Sequence, residues 1–380
     1  MSDLTSKLPD VGTTIFAVMS KMAADHNAIN LSQGFPDFPI SEKLIELVYD
    51  GMKKGFNQYA PMPGLPALRE AIASKVEATT KRATSENEIL VTAGATEALY
   101  AIFTALTKPA DEIILFDPAY DCYDPSIRLN GGVPVHIDLE QPNFSIDWNK
   151  VEAAITPRTK AILINSPHNP SGSILQANDI ESLYQIVKGK DITVISDEVY
   201  EHIIFDGVEH ASVLKHHELK KTAIAVYSFG KTFHATGWKV GYIVAPEPMI
   251  QEFQKMHQFI TFSVSTPVQY GLAEFLKEPS NYAGLEALYS KKRDLFVDLI
   301  SDSRFTAIPC KGTYFQLLSY EGISDKGDFA MAEELTKNHG IASVPISVFY
   351  QSKRDDKLLR FCFAKNDDTL KQAAEILCKI

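Results

Sequence analysis

The stretch Ser228–Gly241, "SFGKTFHATGWKVG", carries two lysines eight positions apart, small residues around the first, and three glycines. Lysine is ordinarily a surface residue. Here Lys231 follows the apolar run Ala223–Val226, and Lys239 precedes the run Tyr242–Ala245. An amine is a nucleophile or a base only when unprotonated, and a low-dielectric pocket with cationic neighbours lowers its pKa enough for that. Asp197 poses a matching problem. It interrupts the apolar run "TVISDEVY", where a carboxylate is costly unless a positive charge meets it. Arg360, inside "LLRFCFA", needs an anionic partner for the same reason.

The elements that must position these groups are legible as hydrophobic patterns. From residue 88 onward short apolar runs recur: "EILVTAG", "EIILFDP", "AILINSP", "DITVISDE", "TAIAVYSF" and "KVGYIVAP". Nearly continuous apolar runs are the mark of strands buried on both faces. Helical patterns lie between several of them. In "TEALYAIFTALT", Leu99, Ile102, Phe103 and Leu106 fall at i, i+3, i+4 and i+7, which predicts a helix. Alternating strands and helices predict an α/β fold with a mostly parallel sheet. Upstream, "SEKLIELVYDGMKKG" predicts a helix capped by Ser41 and ended by Gly55, with Leu44, Ile45, Val48 and Met52 on one face. After about residue 275 the texture is helices plus the shorter strands "TYFQLLS" and "LLRFCFA", which reads as a smaller domain.

Open α/β sheets bind ligands outside the carboxyl ends of their strands. The residues just past the apolar runs are Gly94 to Thr96, Asp117 to Tyr120, Asn165 to Asn169, Asp197 to Tyr200 and Ser228 to Lys231. That set is polar, small and aromatic with one amine, and suits an anionic aromatic ligand.

Bulk properties narrow the field. The chain has 380 residues and a formal net charge of −11. That length predicts one large domain plus a smaller one. The acidic balance argues against nucleic acid or an anionic membrane as the main partner. The cysteines, Cys122, Cys310, Cys362 and Cys378, form no C-x-x-C pair, so neither a zinc ribbon nor a redox pair is indicated. The start "MSDLTSKLPDVGTT" has no apolar core of signal-peptide length, and no run is long enough to span a bilayer. A soluble cytoplasmic protein is expected. G-x-G-x-x-G, H-E-x-x-H and G-x-S-x-G are all absent. "AVYSFGKT" approaches the NTPase phosphate loop, but Ala225 replaces its first glycine and Gly237 interrupts the long helix such a loop must open.

Taken together, "SFGKTFHATGWKVGY", "SPHNPSG", "SDEVYEHIIFDG" and "LLRFCFAK" resemble the pyridoxal-phosphate aminotransferases of fold type I, class I/II. "NLSQGFPDFP", "NQYAPMPGLPALREAIA" and "VTAGATEALYAIF" extend the likeness, in order, over nearly the whole chain, and point to the methionine, kynurenine and glutamine aminotransferase branch. The resemblance implies pyridoxal 5'-phosphate as cofactor, with Lys231 forming an imine to its aldehyde and moving the substrate proton. Asp197 would face the pyridine nitrogen, and Tyr200 and Asn169 would share the ring oxygen. Tyr120 would stack on the ring. The phosphate would sit on the backbone of Gly94, Ala95 and Thr96, with Ser228 and Lys239. Lys239 stands where the commoner pattern has arginine, and Gly230 where many relatives have serine. Arg360 would fork the substrate carboxylate, with Asn169 and the backbone of Gly34 beside it. Tyr59 would reach the phosphate of a second subunit, making the enzyme a homodimer.

The implied fold is a three-layer α/β fold of the PLP-transferase type, with a mostly parallel central sheet in the large domain and a smaller α+β domain. The expected boundaries are an N-terminal segment, 1–45, joining the small domain, a large cofactor-binding domain, 46–275, and a small C-terminal domain, 276–380. The implied reaction moves the α-amino group of an apolar or sulfur-containing amino acid (methionine, glutamine, an aromatic residue or kynurenine) to a 2-oxo acid. A C–S β-lyase acting on cysteine conjugates with the same residues, and a non-catalytic binding module on the same fold, remain open. No role follows from the sequence for His234.

Overall fold

The computed structural model describes residues 5–219 and 222–380, so residues 1–4 of the expected N-terminal segment lie outside it. A two-residue strand, β1 (Ile29–Asn30), comes first. The apolar runs then form β2 (Ile89–Thr92), β3 (Glu112–Asp117), β4 (Val133–Asp138), β5 (Thr159–Asn165), β6 (Thr193–Asp197), β7 (Ala223–Ser228) and β8 (Gly241–Val244). These make one seven-stranded sheet in the order β2-β8-β7-β6-β5-β3-β4. The strands from β3 to β7 are parallel, and β8 runs antiparallel to both its neighbours.

Every residue of β2, β3, β6 and β8 is buried, as continuous apolar runs require when both sheet faces are covered. Alternate side chains feed two cores. Leu90, Ile113, Leu163, Ile195 and Ile243 pack with Leu99, Ile102 and Phe103 of the helix Gly94–Leu106. Val91, Ile114, Ile164, Val194 and Tyr242 face the other core. The result is the three-layer α/β arrangement expected from the resemblance. One strand escapes the pattern. β4, "VPVHID", is an edge strand, only partly buried, and its Pro134 is tolerated there because an edge leaves N–H groups unpaired.

The remaining strands are β9 (Thr306–Ala307), β10 (Phe315–Ser319), β11 (Ile341–Ala342), β12 (Val344–Pro345) and β13 (Leu358–Cys362). A four-stranded sheet has the order β12-β13-β10-β9, and β1 pairs in parallel with β11. Beyond β1 the chain stays stitched to this part: Cys362 donates its backbone N–H to Leu31, and Asp37 donates to Ala364. Among the described residues no helix is long and apolar enough to cross a membrane.

The helix Glu42–Lys53 forms where expected, but its buried stripe differs. Leu44, Val48 and Gly51 face inward, while Ile45 and Met52 are exposed. The cause is close helix contact. A Cβ on Gly271 would come within 2.5 Å of Val48, and one on Gly51 within 2.8 Å of Tyr270. Ser41 precedes the helix without a side-chain capping bond.

His136 on the edge strand links two elements that carry site residues. Its ring nitrogens meet Asp117 at 2.8 Å and Asp124 at 3.2 Å. Burial opposes the charged ring, but the two carboxylates outweigh it and raise its pKa from 6.5 to about 9. A raised folded-state pKa adds stability that is complete below the unfolded value and is lost as pH rises through the folded one. The gap in urea midpoint between wild type and His136→Asn is therefore widest below pH 6.5 and closes as pH rises through about 9.

Candidate active site

Lys231 sits on a four-residue helix, Phe229–Thr232, directly after β7. The chain then turns through two left-handed residues, His234 and Lys239, into β8. No long helix follows Lys231, so this is not an NTPase loop. The Lys231 Nζ donates to the carbonyl of Gly34 at 3.1 Å and to the Tyr314 hydroxyl at 2.9 Å. Burial pulls its pKa down to about 8, and the charges of Arg360 and Lys239 push the same way. A substantial neutral fraction at physiological pH follows.

Asp197 ends β6 and is 4% exposed. Tyr123 donates its hydroxyl to it at 2.6 Å, and the Val199 N–H donates at 3.3 Å. Neither bond brings a cation. Burial raises the carboxyl to about 6, against the pull of those two bonds and of Lys231. A buried carboxylate with no counter-ion within bonding distance is a receptor for positive charge. Three residues on, Tyr200 is buried and packs edge-on to Tyr314.

Arg360, 1% exposed on β13, is stacked over Phe315 at 3.9 Å and lies 5.0 Å from the Phe16 ring centroid. It donates to the Asn169 side-chain oxygen at 2.8 Å and to the Ser32 carbonyl at 3.1 Å. Neither is a carboxylate, and its Nε has no partner among the described residues. Such a guanidinium lacks an anion.

An anion cradle lies across the cavity. Gly94, Ala95 and Thr96 open the helix Gly94–Leu106, where unsatisfied N–H groups and the helix dipole favour negative charge. Gly94 adopts φ +79, and a Cβ there would stand 3.3 Å from the Lys239 Nζ. Glycine is thus needed for both the turn and the close approach of the ammonium. Ser228 and Lys239 complete the lining on this side.

A cavity of about 230 Å³ joins these pieces. Gly34, Ala95, Thr96, Tyr120, Asn169, Asp197, Tyr200, Ser228, Lys231, Lys239 and Arg360 all line it. Tyr59 does not. It is 81% exposed, edge-on to Phe262, and reaches no site within its own chain. His234 is also outside the lining, packed against Phe38 and Tyr289, with burial lowering its pKa to about 4. Sequence reasoning missed Phe16, Tyr123, Tyr314 and Phe315. Only Tyr123 carried a local signal, three residues past Tyr120 in "AYDCYDP".

A family model for class I and II aminotransferases matches residues 26–377. The chain is 50% identical over 374 residues to a methionine aminotransferase of Escherichia coli, spanning 98% of this chain and 97% of that protein. The chain belongs to the class I and II aminotransferases. This aminotransferase is also 32% identical over 413 residues to a kynurenine–oxoglutarate transaminase of Dictyostelium discoideum, spanning 97% of this chain and 94% of that one. A solved N-succinyldiaminopimelate aminotransferase from Mycobacterium tuberculosis matches it with a TM-score of 0.95 at 33% identity, over 99% of each chain.

The family depends on pyridoxal 5'-phosphate, and the aminotransferase has a donor set that fits it. The group is a dianionic phosphate, a ring that carries positive charge on nitrogen, and an aldehyde. The cavity offers an anion cradle at Gly94–Thr96, a carboxylate without a cation at Asp197, and a depressed amine at Lys231.

Beneath the cavity, two glutamates pin the segment that carries Asp197 and Tyr200. Glu198 accepts from Ser196, the Val213 N–H and Tyr227, and meets His210 at 2.8 Å. Glu201 meets the buried Lys75 at 2.5 Å, and Lys75 also donates to Tyr242 at 3.0 Å. Removing the ammonium strands a buried carboxylate. Lys75→Ala should therefore cost about 3–5 kcal/mol of stability, read as a lower denaturant midpoint with an unchanged slope.

Proposed function

We propose that this aminotransferase takes apolar or sulfur-containing amino donors, methionine foremost, with glutamine, aromatic residues and kynurenine as further donors. The observation that carries this reading is the composition of the cavity wall. Phe16, Leu99, Tyr120, Val199 and Phe315 share the lining with Arg360, which is the sole arginine among the described lining residues and lies against Phe16 and Phe315. An apolar side chain gains from that wall, whereas a second carboxylate finds no second arginine to fork it. The names of the relatives, methionine aminotransferase and kynurenine–oxoglutarate transaminase, point the same way.

When bound, the cofactor supplies an aldehyde for imine exchange and a ring that accepts the electrons released at the substrate Cα. The protein's part is division of labour. Lys231 Nζ holds the cofactor, and once released takes the proton from the substrate Cα and later returns it. Asp197 keeps positive charge on the ring nitrogen, so its own ionised form is favoured. Asn169 and Tyr200 would hold the ring oxygen, and Tyr120 would cover the ring face. Ala95, Thr96, Ser228 and Lys239 hold the phosphate. Arg360 would hold the substrate α-carboxylate, whose planar anion matches its guanidinium fork, and Gly34 would present its backbone to the substrate.

The active unit in this reading is a homodimer. Tyr49, Phe56, Tyr59, Phe259 and Phe262 are large and exposed, Phe259 at 85%. Exposed aromatic groups in such number support an interface, which Tyr59 would cross to the partner's phosphate site. The chain's acidic charge and its lack of a membrane-crossing helix among the described residues accord with a cytoplasmic enzyme of small molecules.

Single amino donors added to the holoenzyme should bleach its visible band, with methionine, phenylalanine, glutamine and kynurenine at least about tenfold faster than aspartate. Aspartate as the fastest donor would overturn the assignment. Borohydride should trap the cofactor on Lys231, and Lys231→Ala should trap none. Shared sites have their own signature: mixing Lys231→Ala and Tyr59→Ala chains should restore activity above the sum of the two separately, because the mixed dimer holds one intact site.

A further inference from the structure

Tyr314 is fully buried behind the cavity wall and is not itself part of the lining. Its hydroxyl nevertheless touches the reacting amine, 2.9 Å from Lys231 Nζ. A phenol has one proton to donate. Here that proton goes to the Gly34 carbonyl at 2.6 Å. Toward Lys231 the oxygen can therefore only accept. The second N–H of Lys231 also points at Gly34, at 3.1 Å.

We propose that Tyr314 is a positioning residue that aims the released amine of Lys231, so that its lone pair faces the substrate Cα. The inference rests on the role given to Lys231 above. A neutral primary amine has two N–H bonds and one lone pair. With both N–H bonds committed to Tyr314 and Gly34, the lone pair is left pointing off that wall. When the Cα–H bond breaks, its electron pair stays with the substrate carbon, and the lone pair of Nζ forms the new N–H bond. A base held in the productive orientation spares the cost of finding it.

The two acceptors are themselves fixed. Tyr314 is wedged among Tyr200, Phe315 and Tyr289, with ring centroids 5.2, 4.9 and 5.6 Å away. The chain beside Gly34 is tied down by the bond from Lys365 Nζ to the Phe35 carbonyl and by the Asp37 N–H to Ala364. The acceptor oxygen of Tyr314 also favours the ammonium over the amine, so its removal lowers the pKa of Lys231. The other groups that bear on this amine are Arg360 and Cys362 on β13, Asp197 at the end of β6, Lys239, and Tyr200, whose ring centroid lies 5.6 Å from Nζ. All remain in a Tyr314→Phe variant, as does the ring packing.

Tyr314→Phe tests the idea with two readouts. With Cα-deuterated methionine, kcat should fall about tenfold or more and its primary isotope effect should rise, while KM stays within about threefold. In the apoenzyme, the pH midpoint for capture of pyridoxal 5'-phosphate should move acidward by about half a unit or more from the wild-type value. Tyr289→Phe removes a neighbouring buried hydroxyl that does not reach Lys231, and should leave both readouts unchanged. The proposal is overturned if Tyr314→Phe still captures the cofactor with wild-type isotope effect and midpoint, or if Tyr289→Phe matches its changes. Failure of wild-type Lys231 to capture the cofactor would instead sink the aminotransferase assignment of that lysine.

Discussion

The chemistry available to this chain depends on keeping one lysine amine out of water. Lys231 follows a wholly apolar strand core, its Nζ rests on a carbonyl and a phenol, and the nearby charges of Arg360 and Lys239 disfavour a third cation. Burial brings an ammonium of ordinary pKa near 10.5 down to about 8, with the charges of Arg360 and Lys239 pushing the same way and against the two acceptor oxygens, which favour the ammonium. Desolvation is the largest of these effects, and it exists only because a large apolar framework surrounds the cavity.

The rest of the cavity is a set of charges left incomplete. Among the described residues Asp197 has no cation and Arg360 no anion within bonding distance, and Gly94–Thr96 open a helix with Lys239 beside them. In the free protein each is a cost. A ligand that carries a phosphate, a ring cation and a carboxylate at matching positions offsets all three. In the proposed reading, electrostatic complementarity of this kind ties binding and chemistry together, because the ring that would neutralise Asp197 would also draw electrons from the substrate.

Holding such charges needs a stiff support, and the support is polar as well as apolar. Glu198 and Glu201 lie in and next to the Asp197–Tyr200 segment and are satisfied by His210, Tyr227 and Lys75, and Lys75 is in turn bonded to Tyr242. His136 ties β4 to the end of β3 and to the helix Tyr123–Leu129, whose first residue bonds Asp197. Asp197, the carboxylate that lines the cavity, is thus held by Tyr123 and forms no salt bridge with Lys231.

By itself the sequence determined the layered α/β framework and most of the pocket's membership. Short, continuous apolar runs bounded by turn residues and alternating with helical patterns read as strands buried on both faces, and residues just past such runs gather at one sheet edge. Asp197 and Arg360 stood out because each is a charge within an apolar run, and Lys231 because it sits among small residues just past one. The edge strand β4 did not, since partial burial and Pro134 blur its pattern. Nor did the inward face of the helix Glu42–Lys53, which is set by glycine contacts with a helix more than 200 positions away. Only the tertiary structure decided that Tyr314 meets Lys231 across 83 positions and Gly34 across 280. Spacing along a chain fixes neighbours within an element, whereas contacts between elements depend on how whole surfaces pack.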